Sequence, residues 1–118
     1  MEEFLLIFRR DFASKEDQAS PEQMQNHLRK WQEWFGKLTA EDKLSRPLQQ
    51  WDRAGKIVRP GKHVLNGPYA EIKESIGGMC FVKARNYDEA VEIAEGCPIL
   101  ELNGNVEIRR AVTPVKNA

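Results

Sequence analysis

The chain is short of most things that would assign it a role. Cysteine occurs only at Cys80 and Cys97, with no metal-ligand spacing and no disulfide framework. His27 and His63 are the only histidines; alone they cannot supply a typical zinc set, so no metal is expected. No glycine loop of the phosphate-cradling type is present, and no cofactor is expected. No apolar run approaches the roughly 18–20 residues of a membrane span. The opening Met1-Glu2-Glu3-Phe4-Leu5 is acidic before a short apolar run, the reverse of a signal peptide. A cytoplasmic protein with no membrane partner is the expectation. Neither sign of charge is in excess, with 18 Lys+Arg against 18 Asp+Glu. A nucleic-acid partner needs a basic face, so that class is set aside. Charge balance also removes one barrier to self-association.

What is there suits one folded unit. A chain of 118 residues reads as a single domain spanning 1–118, large enough for a core without staples. Phe4-Leu5-Leu6-Ile7-Phe8 reads as a buried strand. Ser20, Pro21 and Glu22 make a helix start: a hydroxyl cap, proline at the first position, acid in the first turn. From Pro21 to about Leu38, Met24, Leu28, Trp31, Phe35 and Leu38 fall on one helical face. Pro47 makes residues 46–51 at most an edge strand. Asp52 to Gly55 reads as a turn, with Lys56 to Arg59 pairing back across it, and Pro60-Gly61 as another. Met79 to Ala84 is a strand. A second helix follows, capped by Asn86 or Asp88 and stopped by Gly96-Cys97-Pro98. Val106 and Ile108 alternate with Glu107 and Arg109, as in a half-buried strand.

This order predicts an α+β fold: an antiparallel sheet with two main helices on one face and an inserted hairpin. The other face is left bare. A second copy is the simplest cover, so a homodimer is expected.

The connecting stretch Asn66-Gly67-Pro68-Tyr69-Ala70-Glu71-Ile72-Lys73-Glu74, then Gly77-Gly78-Met79-Cys80-Phe81-Val82, carries the strongest motif. Asn-Gly is a turn signal, and Pro68 stiffens the elbow. Tyr69 is then held in one direction, while Glu71, Lys73 and Glu74 are aimed at a shared space.

That run resembles the YCII-related family, in the branch named for its Asp-Gly-Pro-Phe motif. Asp88-Glu89-Ala90, Pro98, the closing Val106-Glu107-Ile108-Arg109 and the first strand are similar too. Asn66 stands where the branch has aspartate, and Tyr69 where it has phenylalanine; the first removes a carboxylate from the elbow. The resemblance implies a ferredoxin-like domain forming a dimeric α+β barrel. It implies a cleft between sheet and first helix, where some members are proposed to use a His/Asp pair on small organic molecules. His27-Leu28 resembles the histidine position, and Asp11 the aspartate after the first strand.

The candidate residues each have two readings. An imidazole near its natural pKa can take or give a proton at neutral pH, so His27 is a catalytic candidate with Asp11 as its orienter. It is equally a partly buried histidine at a helix flank. Tyr69, Glu71, Lys73 and Arg109 are ligand-binding candidates. Their other readings are packing, a solvated turn, and an ion pair of Arg109 with Glu107. Trp31, Trp34 and Phe35 read as core. Two functions follow. One is a small cytoplasmic homodimer whose cleft binds or transforms a small organic molecule by cofactor-free acid/base chemistry. The other is a non-catalytic ligand-sensing or regulatory dimer. His27 near a carboxylate and open to a cavity would favour the first; His27 against Trp31 would favour the second.

Overall fold

The run Phe4 to Phe8 becomes the middle of β1 (Glu2–Arg10), and its alternation sets the layout. Phe4, Leu6, Phe8 and Arg10 are buried on one face, while Glu3, Leu5, Ile7 and Arg9 are half-buried on the other. That is the two-residue period of a pleated strand. The computed structural model describes residues 1–10, 20–49, 51–52, 54–67 and 75–112. After β1 come α1 (Pro21–Ala40), β2 (Gly55–Arg59), β3 (His63–Gly67), β4 (Ser75–Ala84), α2 (Tyr87–Glu95), a 3-10 turn (Pro98–Leu102) and β5 (Asn105–Arg110).

β1 is the centre of a three-stranded antiparallel sheet, ordered β4-β1-β5. Leu6 lies opposite Cys80 on β4 and opposite Ile108 on β5. The register slips between Phe8 and Arg9. Beside this slip Gly78 takes φ +154°, with Phe8 Cδ2 only 3.6 Å from where a Cβ would stand. A side chain there would be strained by the backbone, though it would meet Phe8 only at ordinary contact distance.

Both helices lie on the Phe4 face. Trp34 and Leu38 of α1 join Ala90, Ile93 and Ala94 of α2 in one core with Phe4, Leu6, Phe8 and Val82. Each large side chain taken fully out of water there contributes roughly 1.5–3 kcal/mol. Trp31 and Trp34 meet the Phe8 ring edge-on, at 5.0 and 5.8 Å between centroids. α1 starts as expected: Ser20 Oγ accepts from the Gln23 amide at 3.2 Å, and Gln23 Oε1 accepts from the Ser20 amide at 2.8 Å. Asn86 caps α2, its Oδ1 accepting from the Glu89 amide at 2.9 Å. The fold is therefore α+β, as the element order predicts.

Four local readings are corrected. Asn66-Gly67 is not a turn: both residues lie in β3, paired with Lys56 and Gly55. The turn comes earlier, at Pro60-Gly61-Lys62, where Gly61 and Lys62 take φ +82° and +62°. Proline and glycine together give that loop the stronger turn chemistry, so β2 pairs forward with β3 instead of back. Residues 46–51 hold no strand among the described positions. The sheet edge is extended instead by residues 43–45, with the Ser45 amide donating to the Phe81 carbonyl at 2.9 Å and the Lys83 amide to the Lys43 carbonyl at 2.7 Å. Finally, the apolar stripe of α1 is covered only in its second half. Met24 and Leu28 are 43% and 53% exposed, whereas Trp31, Phe35 and Leu38 pack on the core.

Candidate functional site

α1 brings His27 and Trp31 together, since residues four apart on a helix are neighbours. The Trp31 indole Nε1–H donates to His27 Nε2 at 2.7 Å. The two rings stand nearly perpendicular, at 88° and 5.9 Å between centroids. Trp31 is anchored in turn against Phe8, so the imidazole is held from the core side. Arg10, buried at the end of β1 on the helix face, is close enough for its charge to act on the ring. The His27 pKa is lowered, first by loss of solvent, then by the Arg10 and Lys30 charges, with Glu101 acting the other way. Lys30 and Glu101 are themselves bonded at 2.7 Å. His27 is thus held as neutral imidazole at neutral pH.

The opposite face of the sheet carries a separate polar group. Glu107 on β5 accepts from Arg9 Nε at 3.2 Å and from Arg109 Nη1 at 3.2 Å. Its pKa is lowered, first by the Arg109 bond and then by the Arg9 bond. On the same face Glu3 accepts from Arg46 at 2.9 Å through both oxygens, and from Ser45 Oγ at 2.7 Å. These bonds hold Glu3 below the usual carboxylate range. The Arg46 guanidinium stacks over the Phe81 ring at 4.3 Å. Leu5, Ile7, Met79 and Phe81 form a half-buried apolar strip between these ion pairs, and neither helix covers it.

The sheet therefore stands between two of the candidates. His27 lies on the helix side. Arg109, opposite Leu5 in the register, lies on the open side and is bonded to Glu107. Asp11, Tyr69, Glu71 and Lys73 lie outside the described residues, as does the run Pro68 to Glu74. An open depression of about 360 Å³ is lined by Thr39, Leu44, Ser45, Arg46, Pro47 and Leu48; none of the candidates lines it. Arg10 was missed as a neighbour of His27, and Trp31, weighed as one, was not foreseen as its hydrogen-bond donor. Their signals were present: Arg10 continues the buried parity of Phe4, Leu6 and Phe8, and Trp31 is four residues from His27.

Neither cysteine is built for nucleophilic work. Burial pushes the Cys80 thiol up to about 12, helped by nearby Cys97, and burial likewise pushes Cys97 up to about 12. A buried thiol so far from ionisation is inert at neutral pH. Among the described residues no group of three or more His, Cys, Asp and Glu side chains is placed to hold a metal. No described helix is long and apolar enough to cross a membrane.

No curated protein matches the chain. The YCII-related domain matches residues 11–116, nearly the whole length, with the α+β order described above, and the chain belongs to that family.

Proposed function

We propose that the protein is a one-domain cytoplasmic homodimer that binds a small organic molecule, acting as a ligand-sensing or regulatory module rather than as an acid/base enzyme. The observation that carries this reading is the Trp31–His27 bond at 2.7 Å. A general base needs a free lone pair within reach of the proton it takes. The lone pair of Nε2 is already engaged by an indole N–H. The rival reading has His27 transfer a proton with Asp11 as its orienter and Glu71 and Lys73 binding the substrate. If Asp11 takes Nδ1–H, both nitrogens are occupied, and Trp31 must release the ring before any chemistry.

Two features support the homodimer. One is the half-buried apolar strip Leu5, Ile7, Met79 and Phe81, which neither helix covers. The other is the β2–β3 hairpin, which among the described residues pairs with no strand of the larger sheet. A lone two-stranded hairpin is marginally stable in water, so a partner's surface is its natural support. Tyr69 and Arg109 are assigned to ligand binding in the resulting cleft.

The test combines sedimentation with a compound screen. The expected result is a dimer across micromolar concentrations, with binding of small organic molecules and no turnover. Turnover in the wild type that disappears in a folded His27→Ala variant would establish the enzyme instead. A monomer throughout would remove the dimer and its cleft.

A further inference from the structure

We infer that the β2–β3 hairpin is the arm by which one copy of the chain holds another, and that it docks on the outer face of α2 in the second copy. This inference rests on the homodimer proposed above and names the surface that the hairpin takes. Residues 54–67 contain Lys56, Arg59 and Lys62 and no acid. The apolar side chains of the ribbon are not folded away. Val58 lies opposite Val64 across the ladder, and both are exposed. Side chains two apart on a strand share a face, as do directly opposed ones. Lys56 therefore stands on the valine face, where it also donates to Asn66 Oδ1 across the ladder. Arg59 closes β2 at the other end, beside the turn that carries Lys62. The result is an apolar centre with positive charge toward both ends, on a ribbon that is marginal by itself in water.

A chain with 18 bases and 18 acids holds the complement of this excess elsewhere. The open face of the sheet does not supply it: Glu3 there is held by Arg46, and Glu107 by Arg9 and Arg109. α1 mixes both signs along its length. α2 differs, since Asp88, Glu89, Glu92 and Glu95 are its charged side chains and it has no base. Glu89 pairs with Arg85. Asp88, Glu92 and Glu95 recur at helical spacing, which puts them on one face together with Val91. All four are exposed, while Ala90, Ile93 and Ala94 turn the other way into the core. The dimensions agree as well. From Asp88 to Glu95 the helix rises about 10 Å. From Lys56 to Arg59 the strand covers about 10 Å. Cations at the two ends of the arm can thus meet acids at the two ends of the stripe, with Val58 and Val64 laid over Val91. Two-fold symmetry makes the exchange reciprocal, so each copy gives one arm and receives one.

Charge reversal in the full chain tests the contact by sedimentation equilibrium. The arm variant carries Lys56→Glu and Arg59→Glu. The helix variant carries Glu92→Lys and Glu95→Lys, which place cations toward the C-terminal end of α2, where a helix tolerates them. Folding of each is checked by circular dichroism and urea midpoint. Alone, each variant sets like charges against each other, and its dimer dissociation constant should rise about tenfold or more. Mixed in equal amounts, the two should pair with each other at close to the wild-type constant. In that mixed pair the acidic arm meets the basic helix, and the basic arm meets the acidic helix. Arg29→Glu with Lys37→Glu changes net charge by the same amount on α1 and serves as the control. It should leave the constant nearly unchanged and should not rescue the helix variant.

Variants that dimerise as the wild type does, or a mixture no tighter than its parts, overturn the inference. So does an α1 control that matches the arm variant, because net charge alone would then explain the loss. An arm variant that keeps its dimer but loses retention on heparin assigns the hairpin to a polyanion, which also overturns it. The two proposals fail in different ways. A wild type that is monomeric throughout removes the dimer itself. A dimer indifferent to these charges keeps the dimer and loses the arm.

Discussion

β1 and β5 are joined by the same antiparallel ladder as β2 and β3, yet the two pairs differ in everything beyond the backbone. In the first pair, Leu6 and Phe8 face Ile108 and Val106 across the strands, and two helices pack onto them. In the second, Val58 faces Val64, with the two side chains 72% and 59% exposed. From Gly55 to Asn66 every residue is exposed except the half-buried Ile57. Backbone pairing is thus common to both, and burial belongs to one. Since a hydrogen bond nets only about 1 kcal/mol against water, the ladder alone does not hold the hairpin. The comparison locates folding stability in the sheet and helices. It leaves the hairpin exposed, a surface that the proposed dimer would support.

The sharpest way to break the comparison is to cut into each pair of strands. On the core side, Leu6 is fully buried between β4 and β5 and beneath both helices. Leu6→Ala removes its apolar surface and leaves a cavity that the sheet cannot collapse into. The expected loss is about 2–5 kcal/mol in chemical denaturation, monitored by the tryptophans. A loss under about 1 kcal/mol would mean that the sheet is not where stability resides.

The same contrast explains how much was legible beforehand. β1 announced itself because a continuous apolar run has few other uses. α1 was readable from its cap and its helical stripe. The stripe did not show that Met24 and Leu28 stay exposed, because periodicity reports a face and not what covers it. Turn chemistry was read at both Pro60-Gly61 and Asn66-Gly67, but a ladder can have only one turn. Which one wins depends on the partner strand, and no local rule supplies that. At the site, His27 was singled out for its titration range. Its partner was four residues away, where a hydrogen bond decides whether that range is usable. Arg10 was passed over because the apolar run stops at Phe8, whereas strand parity carries it inward. The separation of His27 from Arg109 follows from parity too: Arg109 faces the side of Leu5, and α1 packs on the side of Leu6.

A milder cut tests the hairpin. Val58→Thr with Val64→Thr keeps β-branched shape on both strands and removes apolar surface already in water. Monomer stability should change by less than about 0.5 kcal/mol, as for most exposed substitutions. If the pair is covered by a second copy, each valine loses about 1 kcal/mol of burial. The dimer dissociation constant should then rise about tenfold or more in sedimentation equilibrium. An unchanged constant would remove the hairpin from the interface while leaving the open sheet face to account for any dimer.

The smallest expected effect lies on the helix that joins the two regions. His27 titrates in the folded chain below its ordinary value of 6.5, because burial, then the Arg10 and Lys30 charges, favour neutral imidazole over the opposing pull of Glu101. Above pH 6.5 the ring is neutral whether the chain is folded or not, and its contribution is complete. As pH falls below 6.5 the unfolded chain takes up the proton first. Stability must then decline until the folded pKa is reached, and level off beneath it. The ion-paired carboxylates Glu3 and Glu107 also have lowered values, from an ordinary 4.5, so their stability is lost at more acid pH. The two windows can be separated by urea midpoints taken from pH 8 down to 4. The upper decline should vanish in His27→Gln, which keeps an amide to accept from the indole. A decline that survives the substitution would assign the upper window to another group and free His27 from the core's electrostatics.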